Sequence, residues 1–256
     1  MELLQIEPEA YFAAEWNELW RLAVDLLSDA EAKHVIAGLK SSGDELGFAL
    51  ECMKLLKGWI PTEPTEDRER LEAFQAANRV LSEAKVSATA KKCPLADLLR
   101  YALFSADPER LRTPAFDQRF KLLASLRETR YLEQPIWRFD HAMLAFQIGD
   151  YHEGAESFAW LRKNGRFFEV PRERSQLLTE SPSSSKAMRV TFRIVVPGAE
   201  GERGSGRVEQ PVRFRDPVPF NARAFLSRGK GVAPGTVTSC FIRLNPAGPF
   251  AEPESK

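Results

Sequence analysis

Apolar residues recur every three to four positions through roughly the first 165 residues and every second position beyond residue 188. The first period is helical and the second is that of a strand. Pro8 opens a helix whose stripe runs Phe12, Trp16, Leu19, Trp20, Ala23 and Leu27. Ser28 or Asp29 caps the next, in which Ala32, Val35, Ile36 and Leu39 keep the period. A third, about Asp44 to Gly58, presents Leu46, Leu50, Met53 and Leu56. Pro61 and Pro64 then interrupt the run, since each disfavours helix in the residue before it. A fourth, about Glu66 to Lys85, carries Leu71, Phe74, Ala77, Leu81 and Ala84, and the polar stretch Ser87 to Lys92 ends it. Pro94 starts a helix through Leu98, Leu99, Ala102 and Leu103. Asp107-Pro108 and Thr113-Pro114 each read as an N-cap followed by Pro at the first helical position, the second leading into Phe116, Phe120, Leu123 and Leu126.

The best-marked unit spans Tyr131 to Gly165. Trp137, Ala142, Ala145, Phe146 and Ile148 precede the turn Gly149-Asp150-Tyr151, and Ala155, Phe158 and Leu161 follow it at the same spacing. Gly154 lets the two helices approach, and Asn164-Gly165 is a left-handed C-cap. The stretch IWRFDHAMLAFQIGDYHEGAESFAWLRK resembles a tetratricopeptide (TPR) repeat, a helix hairpin of about 34 residues. Ala142 and Gly154 stand where that family wants small residues and Phe158 where it wants an aromatic. Leu161 replaces a usual small residue, and Arg166 falls close to a usual Pro. The resemblance implies a protein-binding helical surface, and the successive helix pairs fit either an α-solenoid or an ordinary bundle.

Arg166 to Pro171 reads as a short extended or packing segment, followed by a helix through Leu178. Ser181-Pro182-Ser183-Ser184-Ser185 reads as a linker. Beyond it Val190, Phe192, Ile194 and Val196 alternate with Arg189, Thr191 and Arg193, the pattern of a half-buried strand. Gly201 to Gly206 reads as a turn, with further strands near Gly206 to Phe214, Val218 to Phe225 and Thr236 to Leu244. The expected fold class is α+β: a helical domain at 1–180, a serine-rich linker at 181–187, and a small antiparallel barrel or sandwich at 188–256. In size, strand pattern and basic charge the last part is similar to OB-fold and cold-shock domains.

The chain has 256 residues and a net charge of zero, but the charge is unevenly placed. Residues 186–256 hold twelve Lys/Arg against six Asp/Glu, leaving twenty-four against thirty in the first 185 residues. Domains of opposite sign point to different partners. Cys52, Cys93 and Cys240 are odd in number, far apart and outside any CxxC pair, as reduced thiols are. No apolar run is long enough to span a membrane, and the first residues lack a signal-peptide pattern, so a cytoplasmic location is expected.

Candidates for chemistry are few. His34, His141 and His152 stand in no metal-ligand spacing; Asp140, His141 and His152 would share a cleft only if both histidines faced it, the plainer reading being one in the packing and one on the turn surface. Ser82 to Lys85 and Ser183 to Lys186 match Ser-x-x-Lys without the companion motifs of that enzyme class. Gly201 to Gly206 and Gly229-Lys230-Gly231 read as hairpin turns rather than phosphate loops. Neither catalysis nor a metal or cofactor is expected. Two surfaces remain. Trp16, Trp20, Trp137 and Trp160, with Trp59, are candidate anchors for a protein partner, since tryptophans dominate binding hot spots. Arg189, Arg193, Arg203, Arg207, Arg213, Arg215, Arg223, Arg228 and Lys230 are candidate phosphate contacts, with Phe192, Phe214, Phe220 and Phe225 between them as either stacking rings or core. The first expectation is a non-catalytic scaffold that docks a protein partner. The alternatives are a nucleic-acid-binding subunit and a hydrolase with an unrecognised site. Chains that join divergent helical repeats to a small barrel resemble accessory subunits of bacterial multi-protein systems, antiviral ones included.

Overall fold

The computed structural model describes residues 27–57, 60, 64–83, 93–127, 129–198 and 202–254. The expected helix carrying Trp16 and Trp20, together with Trp59, Lys85 and the polar stretch at 87–92, lies outside them. The chain divides into two units at Gln134/Pro135.

The first unit is built from α1 (Asp29–Ser41), α2 (Glu45–Leu55), α3 (Arg68–Glu83), α4 (Pro94–Ala106) and α5 (Phe116–Ala124). Ser28 caps α1 in a capping box with Glu31, satisfying two of the N–H groups a helix start leaves open. Leu46, Ala49, Leu50, Cys52 and Met53 of α2 share one apolar cluster with Phe74, Ala77 and Leu81 of α3 and Leu95, Leu99 and Leu103 of α4. The polar cross-brace is Arg100, whose guanidinium reaches Glu45 and Asp97, each at 3.1 Å. Of two expected caps, one forms. Asp107 caps a 3-10 turn, Pro108–Leu111, by accepting from the Glu109 N–H at 2.9 Å. Thr113 caps nothing, because α5 is entered through Ala115 in the left-handed region at φ 49°.

The second unit opens with the helix hairpin α6 (Pro135–Gln147) and α7 (Tyr151–Lys163). Gly149 at φ 89° makes the turn, and the Asp150 carboxylate accepts from the Glu153 N–H at 3.2 Å. Gly154 is required by close approach, since a methyl group there would lie 2.3 Å from the Phe146 ring. Six strands follow: β1 (Gln176–Leu177), β2 (Arg189–Val196), β3 (Arg203–Gln210), β4 (Val218–Asn221), β5 (Val237–Asn245) and β6 (Gly248–Pro253), with a short helix α8 (Ala222–Leu226) after β4. β2 pairs with β3 and β5, β3 with β4, and β5 with β6, all antiparallel; β4 and β6 run parallel and close a five-stranded barrel. β1 is the extra strand. It pairs with Arg243 and Leu244 of β5, just past Phe241, where β2 stops pairing.

Alternation fills the barrel. Val190, Phe192, Ile194, Val208, Phe220, Cys240, Ile242, Leu244 and Ala251 are buried, and α8 adds Ala222 and Phe225. The rings of Phe192, Phe220 and Phe225 form the core, with centroids 5.0–6.2 Å apart. These phenylalanines are therefore core residues and not stacking surface. Val196 departs from the expected inward set at 53% exposure, because a register shift between Ile194 and Val196 turns the strand end outward. The expected turn at 201–206 is largely strand: Gly204 and Gly206 face inward on β3, where Cβ atoms would lie 2.4 Å from Phe220 and 2.5 Å from Phe192. Gly229, at φ 70°, ends α8 rather than turning a hairpin.

The hairpin and the barrel are joined by specific contacts. The Phe214 ring meets Phe146 edge to face and Tyr151 at a tilt, with centroids 5.2 and 4.9 Å apart. The Gln147 amide donates to Leu177 O at 2.8 Å and accepts from the Thr179 N–H and hydroxyl, both at 2.9 Å. Arg174 reaches buried Asp140 at 2.5 Å. The helix expected through Leu178 is instead a 3-10 turn, Arg172–Arg174, followed by β1, because these residues serve as bolts and edge strand. The serine-rich stretch is a closed turn: the Glu180 N–H donates to Lys186 O at 3.0 Å and the Met188 N–H to Leu178 O at 2.7 Å. The two units thus divide forty-six residues ahead of residue 181, where the sequence places the linker.

Candidate nucleic-acid interface

On β3 the alternation Arg203-Gly204-Ser205-Gly206-Arg207 sends the glycines inward and both arginines to solvent. The long cations stand outward because the positions between them must accommodate core rings. Arg207 lies beside Arg193 in the β2–β3 register, a like-charge pair that disfavours the sheet when uncompensated. Glu209 compensates it, accepting from Arg193 Nε at 2.6 Å and Nη2 at 3.2 Å. Arg193, followed by Arg213, holds the Glu209 carboxyl below its ordinary range. Arg193 is thus committed to a neighbour, as is Arg189, whose Nε meets Glu254 at 2.9 Å.

The other candidates divide differently. Arg203, Arg207, Arg213, Arg215, Arg223 and Arg228 are exposed, with no ion pair among the described residues. Arg203 pairs in register with Asn221, which caps α8 by accepting from the Ala224 N–H at 3.1 Å, so Arg223 lies just beyond it in chain order. Lys230 is half-buried and reaches the Ser239 hydroxyl at 3.5 Å. A shallow open groove of about 560 Å³ is lined by Arg189, Val190, Thr191, Gln210, Pro211 and Ser239. Thr191 is flanked there by its register partners Gln210 and Ser239, a row of hydroxyl and amide groups.

Of the tryptophan candidates, Trp137 and Trp160 fall within the described residues. Trp137 is buried, and Trp160 is half-buried beneath the Arg138 guanidinium, 4.8 Å from its ring centre. Trp16, Trp20 and Trp59 lie outside the described residues.

The histidines share no cleft. His141 is buried with Nδ1 3.1 Å from the Ser157 hydroxyl and Nε2 3.6 Å from Glu153, whereas His152 is 75% exposed beside Glu156. Ser157, His141 and Glu153 thus form a hydroxyl–imidazole–carboxylate chain, but hydroxyl and imidazole are both buried, so a substrate has no path to the would-be nucleophile. Lys186 pairs at 2.8 Å with Glu180 instead of with Ser183. Burial pushes the thiols of Cys52, Cys93 and Cys240 up to about 12, which keeps them protonated and unreactive. Among the described residues no group of three or more His, Cys, Asp or Glu could hold a metal, and no helix is long and apolar enough to cross a membrane.

Sequence reading missed two features. One is the Thr191–Gln210–Ser239 row, which exists only through strand register. The other is Phe168, 78% exposed and stacked on Phe167 at 3.9 Å between ring centres. Its signal was two adjacent aromatics one residue beyond a helix-ending glycine, in a segment too short to bury both. Against known protein families, curated proteins and solved structures, the chain matches none.

Proposed function

We propose that the barrel is of the OB type and binds single-stranded nucleic acid through the outer face of β3 and β4, giving the chain a binding rather than a catalytic role. The supporting observation is the strand order. Around the barrel it runs β2-β3-β4-β6-β5 and back to β2, with β4 parallel to β6 and a helix between β4 and β5. In such Greek-key barrels the second and third strands and the loops joining first to second and fourth to fifth carry oligonucleotides. Here those strands hold Arg203, Arg207 and Asn221, with Arg223 following, and none of these arginines is neutralised by a carboxylate among the described residues. The α6–α7 hairpin fits a single divergent TPR-like repeat that packs on a barrel instead of on another repeat. The scaffold reading has less support, because Trp137 is core and Trp160 lies under Arg138.

The test is fluorescence anisotropy of the full chain with single-stranded RNA and DNA over a series of salt concentrations. Binding weakens steeply with salt, with a slope of about 0.7 per phosphate neutralised. Reversing Arg203→Glu and Arg207→Glu together lowers affinity at least about ten-fold and flattens that slope, while Arg112→Glu in the helical unit leaves both unchanged. Absence of binding at low salt, or an unaltered double variant, overturns the proposal.

A further inference from the structure

The barrel offers charge but few ring faces. Phe192, Phe220 and Phe225 are interior, and Phe214 is covered by Phe146 and Tyr151. Proteins that hold single strands combine cations for the backbone with aromatic faces on which bases stack. The same unit carries such a face outside the barrel. Gly165, at φ 65°, ends α7, and the 3-10 turn Arg166–Glu169 sets Phe167 and Phe168 ring against ring, 3.9 Å apart with planes at 35°. Phe167 is half-buried and supports the outer ring, which at 78% is the most exposed large apolar side chain among the described residues.

The residues on either side carry a net positive charge, with Arg162, Lys163, Arg166 and Arg172 against Glu169 and Glu173. Arg162, Lys163 and Arg172 are exposed in the residues on either side, and Arg166 forms an ion pair with Glu169 within the turn. Arg162 also fixes the location, since its Nη1 donates to Ala247 O at 3.0 Å and so ties the end of α7 to the turn between β5 and β6. That turn joins the fourth and fifth strands of the barrel, one of the loops an OB-type site uses.

We propose that Phe167–Phe168 is a base-stacking platform that extends the barrel's nucleic-acid site past the β5–β6 turn, with Arg162 and Lys163 meeting the phosphates beside the stacked base. The inference rests on the nucleic-acid reading of the barrel. An exposed ring with cations in the flanking residues matches a base flanked by phosphates.

The experiment compares an oligothymidylate with an abasic deoxyribose-phosphate chain of equal length, on the full protein and its Phe168→Ala and Phe168→Trp variants. The exposed ring can be removed without unfolding the unit, which circular dichroism checks. Phe168→Ala weakens oligothymidylate binding about ten-fold and leaves the abasic chain unaffected, and Phe168→Trp retains binding with its fluorescence quenched by the stacked base. If Phe168→Ala binds oligothymidylate as the wild type does while the Arg203/Arg207 double reversal weakens it, the platform is overturned and the barrel site stands. Equal losses on both probes also overturn stacking. If the wild type binds neither probe, platform and barrel site fall together.

Discussion

Gly204 shows how much a single missing side chain decides. It faces inward on β3, where a Cβ would lie 2.4 Å from the Phe220 ring and 2.7 Å from the Gly198 nitrogen, so the ring fills the volume that alternation assigns to a β3 side chain. Gly204→Ala forces a rigid ring against strand backbone and is expected to cost about 1–3 kcal/mol, read as a lower urea midpoint, with Phe220→Leu in the same chain recovering part of the loss. This trade also limited what could be read from residues alone. Glycine-rich sequence is ordinarily turn sequence, and only knowledge of the facing rings reveals Gly204 and Gly206 as strand. By contrast a cap at Ser28 or Asp29, the Gly165 C-cap and the close approach at Gly154 were legible, because each depends on neighbours within one or two turns. The outward alternation of Arg203 and Arg207 depends on that strand assignment, so only the identities of the candidate arginines, not their pairing, could be read in advance.

At the level of elements, the helix hairpin and the antiparallel strands follow from period alone, while the segment between them does not. Residues 172–179 lack a clean period because each serves a different neighbour: Arg174 meets Asp140 on α6, Leu177 and Thr179 bond Gln147, and Gln176–Leu177 pair with β5. The Asp140–Arg174 pair is buried, so removing one charge is far more damaging than removing both. Asp140→Ala is expected to lower unfolding free energy by about 3–5 kcal/mol in a urea titration, whereas Asp140→Leu with Arg174→Met stays near the wild type. A single variant as mild as the double one would show that this contact does not hold the segment to the hairpin.

For the whole molecule, composition signalled two parts of opposite charge, but the position of the division was set by contacts that no local signal announces. The α6–α7 hairpin reads as the last member of a helical series and yet shares a unit with the barrel, through Phe214 on Phe146 and Tyr151. The short strand β1 gives this arrangement a practical meaning. Cutting the chain at the serine-rich stretch would strip Leu244 and Arg243 of their β1 neighbours and leave unpaired N–H and C=O groups on that edge of β5. Such an edge recruits strands from other molecules. A fragment of residues 135–256 is therefore expected to elute as a folded monomer in size-exclusion chromatography, and one of residues 186–256 to self-associate or precipitate. Two residues of β1, contributed from before the barrel begins, would thus guard it against its own kind.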